Sequence, residues 1–145
     1  MLVPDTNVYI MSAAGTLPDK VLRLLERSLL FHCSVCLAEL ATGISNLDPA
    51  RSDWRLARDH YASLFDAIPD SRVLTPDEQV WLDAGVIAGI LARVQNFRKE
   101  QREECLNDAL IYLTANKAGL PVLTANRDEF DLIQQIAPDG QFVHL

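Results

Sequence analysis

The chain opens on a short apolar run, Leu2 to Pro4, which meets Asp5, Thr6 and Asn7 before apolar residues resume. The run has the length of a buried strand, and Thr6 to Ala14 reads as a loop or as first helical turns. Over residues 19 to 30 the period changes to about 3.6, with Val21, Leu22, Leu25 and Leu29 on one helix face entered through Pro18 and Asp19. Phe31 to Cys36 is a β-prone run that leads into a helix over Leu37 to Gly43, ended by the glycine. Asp53 to Phe65 carries Trp54, Ala57, Tyr61 and Leu64 on one stripe, and Ser71 to Leu74 predicts a short strand. Pro76 to Val94 is the clearest helix: Val80, Ala84, Ile87, Leu91 and Val94 share a face, with Thr75 as N-cap.

The next stretch, NFRKEQREEC, is polar without an apolar period and predicts a connection. After it Asp108 opens a helix, DALIYLTANKAG, which is apolar on nearly all sides and stops at Gly119 and Pro121. Leu120 to Thr124 reads as a buried strand, Asp128 to Ile136 as a short helix and Gln141 to His144 as a last strand. Short apolar strands separated by helices predict an α/β fold, a three-layer α/β/α sandwich around a mostly parallel sheet of about five strands. No low-complexity stretch or Pro/Gly/Ser-rich linker divides the 145 residues, so a single domain is expected over 1–145.

Composition narrows the setting. No apolar run approaches the roughly 18 residues that cross a bilayer, and Asp5 interrupts any signal-like N-terminus. The expectation is a cytoplasmic protein with no membrane partner. Cys33, Cys36 and Cys105 sit among apolar residues, as buried thiols do in a reducing compartment. Cys33 and Cys36 have metal or redox spacing but no second Cys/His pair at a usable distance. His32, His60 and His144 are scattered and form no ligand or triad pattern. The net charge of −7 argues against holding nucleic acid by overall attraction. It leaves room for an acidic pocket that collects a divalent metal and lets the metal face a phosphate.

Parallel sheets bind ligands beyond the carboxyl ends of their strands. Asp5 follows the first strand, Glu39 lies in the first helical turn after the second, Asp108 opens the helix before the fourth, and Asn126, Asp128 and Glu129 follow the fourth. Each acid alone has an ordinary reading as a cap or first-turn residue. Together at one sheet edge they would repel, unless a hard cation with oxygen ligands, Mg²⁺ or Mn²⁺, occupied the space between them.

The ordered blocks VPDTNVYI, SVCLAELATG and LNDALIYLTANKAGLPVLTANRDEF resemble the PIN domain family, most closely the VapC-like toxins of bacterial toxin–antitoxin modules, from Leu2 to about Phe130. The resemblance implies a metal-dependent endoribonuclease with Asp5 as central metal ligand, Glu39 as second acid and Asp108 as third. In the family pattern T-x-N-x-x-(acid)-F, Thr124, Asn126, Glu129 and Phe130 match. Glu129 thus stands where Asp is usual, with Asp128 beside it as a competitor, and Ala125 stands where many relatives carry Arg. Thr6, Asn7, Thr124 and Asn126 have the size and donors to orient those carboxylates, or to serve as turn and capping residues.

The resemblance also implies a homodimer, an RNA substrate and a cognate antitoxin that occludes the acidic groove, with contacts from the helices over 19–30 and 53–65. Arg93, Arg98, Lys99 and Arg102 are placed to flank that groove, and Arg51, Arg55 and Arg58 form a second basic set. Two other readings compete: a phosphorylation-dependent receiver module, and a catalytically silent PIN-like interaction domain. A receiver needs an acidic pair at the first strand and a Lys after the last, and this chain has neither; a silent domain would be expected to lose acids that are present here.

Overall fold

A computed structural model describes residues 1–145. Five short strands, β1 (Val3–Pro4), β2 (His32–Cys33), β3 (Val73–Leu74), β4 (Val122–Thr124) and β5 (Phe142–His144), are all parallel. β1 pairs with β4 and β4 with β5, while β2 pairs with β3. A parallel bridge from Leu2 to Leu30, with the Phe31 N–H donating to the Leu2 carbonyl at 3.0 Å, joins the two sets. The strand order across the joined sheet is therefore β3-β2-β1-β4-β5.

Between the strands run α1 (Thr6–Ala13), α2 (Asp19–Arg27), α3 (Ser34–Ser45), α4 (Trp54–Ala67), α5 (Glu78–Val94), α6 (Lys99–Lys117) and α7 (Arg127–Ile136). The pleat sends alternate residues of β1 and β4 to opposite faces. Leu2 and Leu123 join Val8, Leu17 and Val21 in a small core under α1 and α2. Val3 and Val122 join the larger core, which includes Ala84 and Leu91 of α5, Leu110 and Ile111 of α6, and Phe130 and Ile133 of α7. The sheet is thus the middle layer of three.

Several boundaries differ from the sequence reading, each for a local reason. α6 begins at Lys99, so Asp108 lies inside the helix and does not open it. The first turns of α6 face solvent and show no apolar period, but they consist of good helix formers, and the Gln101 side chain accepts from the Arg98 N–H at 3.0 Å. α5 is capped by Asp77, which accepts from the Val80 N–H at 3.0 Å, and not by Thr75. α3 starts at Ser34, which puts Cys36 in the helix, and it runs through Gly43 to Ser45. Gly119, by contrast, stops α6 at φ 68°, as its position predicts. Leu22, Leu29 and Val94 are exposed: Leu29 lies beyond the end of α2, and Val94 is the last residue of α5. The α4 stripe of Trp54, Ala57, Tyr61 and Leu64 is half-buried as expected, with the rest of that helix mostly exposed.

Candidate functional site

The strand order reverses between β1 and β4. Chain connections leave these two neighbours in opposite directions, which opens a crevice beyond their carboxyl ends. Asp5 stands at the end of β1, buried at 3% exposure. Its N–H is the last sheet bond, donating to the Leu123 carbonyl at 2.9 Å. Its Oδ1 accepts from the Thr6 N–H at 2.7 Å, so Asp5 also serves as the N-cap of α1. Its Oδ2 accepts from the Thr124 hydroxyl at 2.7 Å and from the Asn7 amide.

Thr124 closes the network by accepting from the Asn126 N–H at 2.9 Å, and Asn7 Oδ1 accepts from the Ala125 N–H at 3.0 Å. Five residues at the ends of two strands thereby fix one carboxylate. Burial raises the Asp5 pKa, the bonds from Thr124 and Thr6 oppose that rise, and the nearby Glu39 charge adds to it.

Asp5, Glu39, Asp108 and Glu129 all line one cavity of about 300 Å³, together with Thr6, Asn7 and Asn126. Thr124 supports the cavity from behind, fully buried. Asp128 is exposed and does not line it. Glu39 is anchored by the Thr6 hydroxyl and by Asn107 Nδ2, the latter at 2.8 Å from Oε1. Asp108 has no such support. Burial, then the charges of Asp5, Glu39, Glu129 and Glu104, push its pKa up to about 8.

Three contributors were not legible in sequence. Glu104 and Gln101 line the cavity from α6, and Asn107 holds Glu39. Glu104 is four residues before Asp108, one helical turn away on the same face. That spacing carries meaning only once the segment is known to be helical. The basic residues do not border the acidic cavity: Arg93 and Arg102 line a separate cleft between α5 and α6. Arg51 and Arg58 are paired with Asp53 and Asp59, both at 2.7 Å, and Arg58 lies 4.9 Å over the Trp54 ring.

The profile of the PIN domain family matches residues 2–135. The chain belongs to the PIN domain family. Solved structures similar to this PIN domain include FitAcB from Neisseria gonorrhoeae, 20% identical with a TM-score of 0.68 over 99% of this chain and 97% of that one. VapBC-1 from nontypeable Haemophilus influenzae is 22% identical, with a TM-score of 0.68 over 99% and 96% of the two chains. DNA-bound VapBC from Salmonella typhimurium is 26% identical, with a TM-score of 0.65 over 99% and 98%. No curated protein matches the sequence significantly. No helix of this PIN domain is long and apolar enough to cross a membrane.

The donor set bears on what the cavity can hold. Its acids offer oxygen alone, the chemistry that suits a hard dication and not a thiolate metal. As the side chains stand, no three of the His, Cys, Asp or Glu groups converge tightly enough to grip an ion. Asp5 and Glu39 are turned onto their hydrogen-bond donors, while Asp108 and the exposed Glu129 are not tied. Burial first, and the neighbouring acids second, raise the Asp108 pKa, and a dication beside it would favour the ionised carboxylate. In donor chemistry, oxygen alone from Asp5, Glu39, Asp108 and Glu129, the residues fit a hard divalent cation.

Proposed function

We propose that this PIN domain is a metal-dependent endoribonuclease, the toxin half of a toxin–antitoxin pair, acting in the cytoplasm as a single-domain chain that forms homodimers. The observation that carries the reading is the convergence of Asp5, Glu39, Asp108 and Glu129, from four distant segments, on one cavity at the sheet's switch point. Clustered carboxylates are costly in an idle surface and useful in a cation site. The toxin assignment draws on the FitAB and VapBC complexes among the similar structures, and it implies a cognate antitoxin for this chain as well.

Asp5 and Asp108 would hold the principal Mg²⁺ or Mn²⁺, with Glu39 and Glu129 completing the shell directly or through water. A metal bound there supplies a lowered pKa for water and neutralises charge on the phosphodiester. The chain does the rest. Thr6, Asn7 and Thr124 fix the direction of Asp5, and Asn107 fixes Glu39. Glu129, exposed at the rim, is free to take up the proton of the attacking water on its carboxylate. Asn126 lines the cavity beside it and offers amide donors to a phosphate oxygen.

The test incubates purified protein with structured and unstructured RNAs in Mg²⁺ or Mn²⁺, in EDTA, and beside Asp5→Ala. Cleavage is expected only with metal and the intact Asp5. Cleavage that persists in EDTA and in the variant would overturn the mechanism. A small neighbouring reading frame encoding a DNA-binding fold with a disordered tail is the expected companion gene. The receiver-like reading falls with the family assignment, and a silent interaction domain would be expected to lose acids that this chain brings to one cavity.

A further inference from the structure

Glu39 lines two concavities. Beyond the acidic cavity, a groove of about 630 Å³ is walled by α3, the entry to α5 and Asn107 of α6, and Glu39 lines both. Its volume lies within the roughly 300–1,000 Å³ of sites that hold one small ligand. Trp81 lines this groove and is 50% exposed, although Trp is ordinarily largely buried. Apart from Glu39 the groove has no charged group, and its remaining polar side chains are hydroxyls and amides. Asn46 makes no side-chain hydrogen bond, and Asn107 spends one amide hydrogen on Glu39.

We propose that the groove is a nucleobase subsite for the RNA substrate: Trp81 stacks the unpaired base next to the scissile phosphate, and Asn46 and Asn107 bond its edge. The proposal rests on the endoribonuclease reading and adds what fixes the cut. Single-stranded RNA is read by stacking bases on aromatic rings and bonding their edges with neutral donors and acceptors. The groove supplies a ring and amides but no cation, so it suits a base and not a phosphate. Glu39 is common to both walls, so a strand whose phosphate enters the acidic cavity would deliver an adjacent base past Glu39 into the groove.

Gly43 gives a clean way to close the groove. It lines the groove, and a Cβ added there meets nothing within 4 Å, so Gly43→Leu fills the space with no clash at that first carbon. In a Trp54→Phe background Trp81 is the sole tryptophan, because the chain has two. Its fluorescence is expected to fall when a single-stranded oligoribonucleotide is added with Mg²⁺. Trp81→Ala is expected to raise KM by about 5- to 150-fold with little change in kcat, the range measured for losing one stacked base. Gly43→Leu should do likewise, and Trp81→Phe should recover most of the loss. An abasic nucleotide beside the cut should weaken wild type and leave Trp81→Ala unaffected.

Unchanged KM in both Trp81→Ala and Gly43→Leu, with cleavage intact, would overturn the subsite and spare the nuclease reading. A Trp81 signal shielded by a second copy or a partner protein and unresponsive to RNA would overturn it too. Absence of cleavage by wild type with either metal would instead overturn the endoribonuclease reading, and the subsite with it.

Discussion

Two aspartates face the same cavity under opposite conditions. Asp5, on the strand side, accepts three hydrogen bonds through a network that ties β1 to β4. Asp108, on the helix side, accepts none and sits among four other carboxylates, which together with burial push its pKa up to about 8. The strand side is fixed before any cation arrives. The helix side is the part whose charge state a bound cation would change. Preorganisation on one side and an acid without hydrogen-bond partners on the other is what a site needs if metal is to bind, remain partly hydrated and admit substrate.

The largest predicted effect comes from breaking the fixed side. Asp5→Asn keeps the shape but removes the carboxylate, and RNA cleavage should fall by well over about 100-fold, beyond the loss typical of a ligand's outer partners. A variant within a few-fold of wild type in a cleavage time course would refute the assignment of Asp5.

Thr124→Val comes next. It leaves Asp5 Oδ2 without its hydroxyl donor and the Asn126 N–H without an acceptor. Metal affinity should drop by about 10- to 100-fold, and stability by about 1–3 kcal/mol in a denaturant titration. If affinity stays put, the network is only a strand clasp.

The helix side is probed by pH. A carboxyl with a folded pKa of about 8, against 3.8 when unfolded, binds its proton more tightly in the native state. Without metal, stability should therefore be highest below about pH 4 for this group's contribution and decline as pH rises towards about 8. Asp108→Asn should flatten that decline in melting curves recorded in EDTA; parallel curves for variant and wild type would place the charge cost elsewhere.

Smallest of all is the contrast between Glu104 and Asp128. Glu104→Gln removes one of the charges acting on Asp108 and should shift the pH profile of the melt downward. Asp128→Asn, exposed and outside the cavity, should stay within about twofold of wild type in cleavage, as surface changes do. A larger loss in Asp128→Asn than in Glu129→Gln would reverse their roles.

The strand side was legible in the sequence and the helix side only in part, for a physical reason. Asp5 follows β1 and Thr124 ends β4, buried strands whose apolar runs are short and sharply bounded, so topology alone brings their ends together. α6 starts in a solvated turn, where hydrophobic periodicity is silent. The apolar pattern places its start at Asp108, about two and a half turns after Lys99, and leaves Glu104 and Gln101 outside the helix. Residues 126–129 left two acids in competition, because sequence fixes their spacing but not which one the first turn of α7 aims inward. The expected basic flank failed similarly: Arg93 and Arg102 share a helical neighbourhood with the acids but line another cleft.

Binding of Mn²⁺, followed by the electron paramagnetic resonance of the free ion near pH 8, tests the central claim most directly. The wild-type chain should take up Mn²⁺ and release protons as Asp108 ionises, and Asp5→Asn and Asp108→Asn should each lose most of that uptake. Equal uptake by all three proteins, or none by wild type, would contradict a metal site built between the strand-side and the helix-side aspartate.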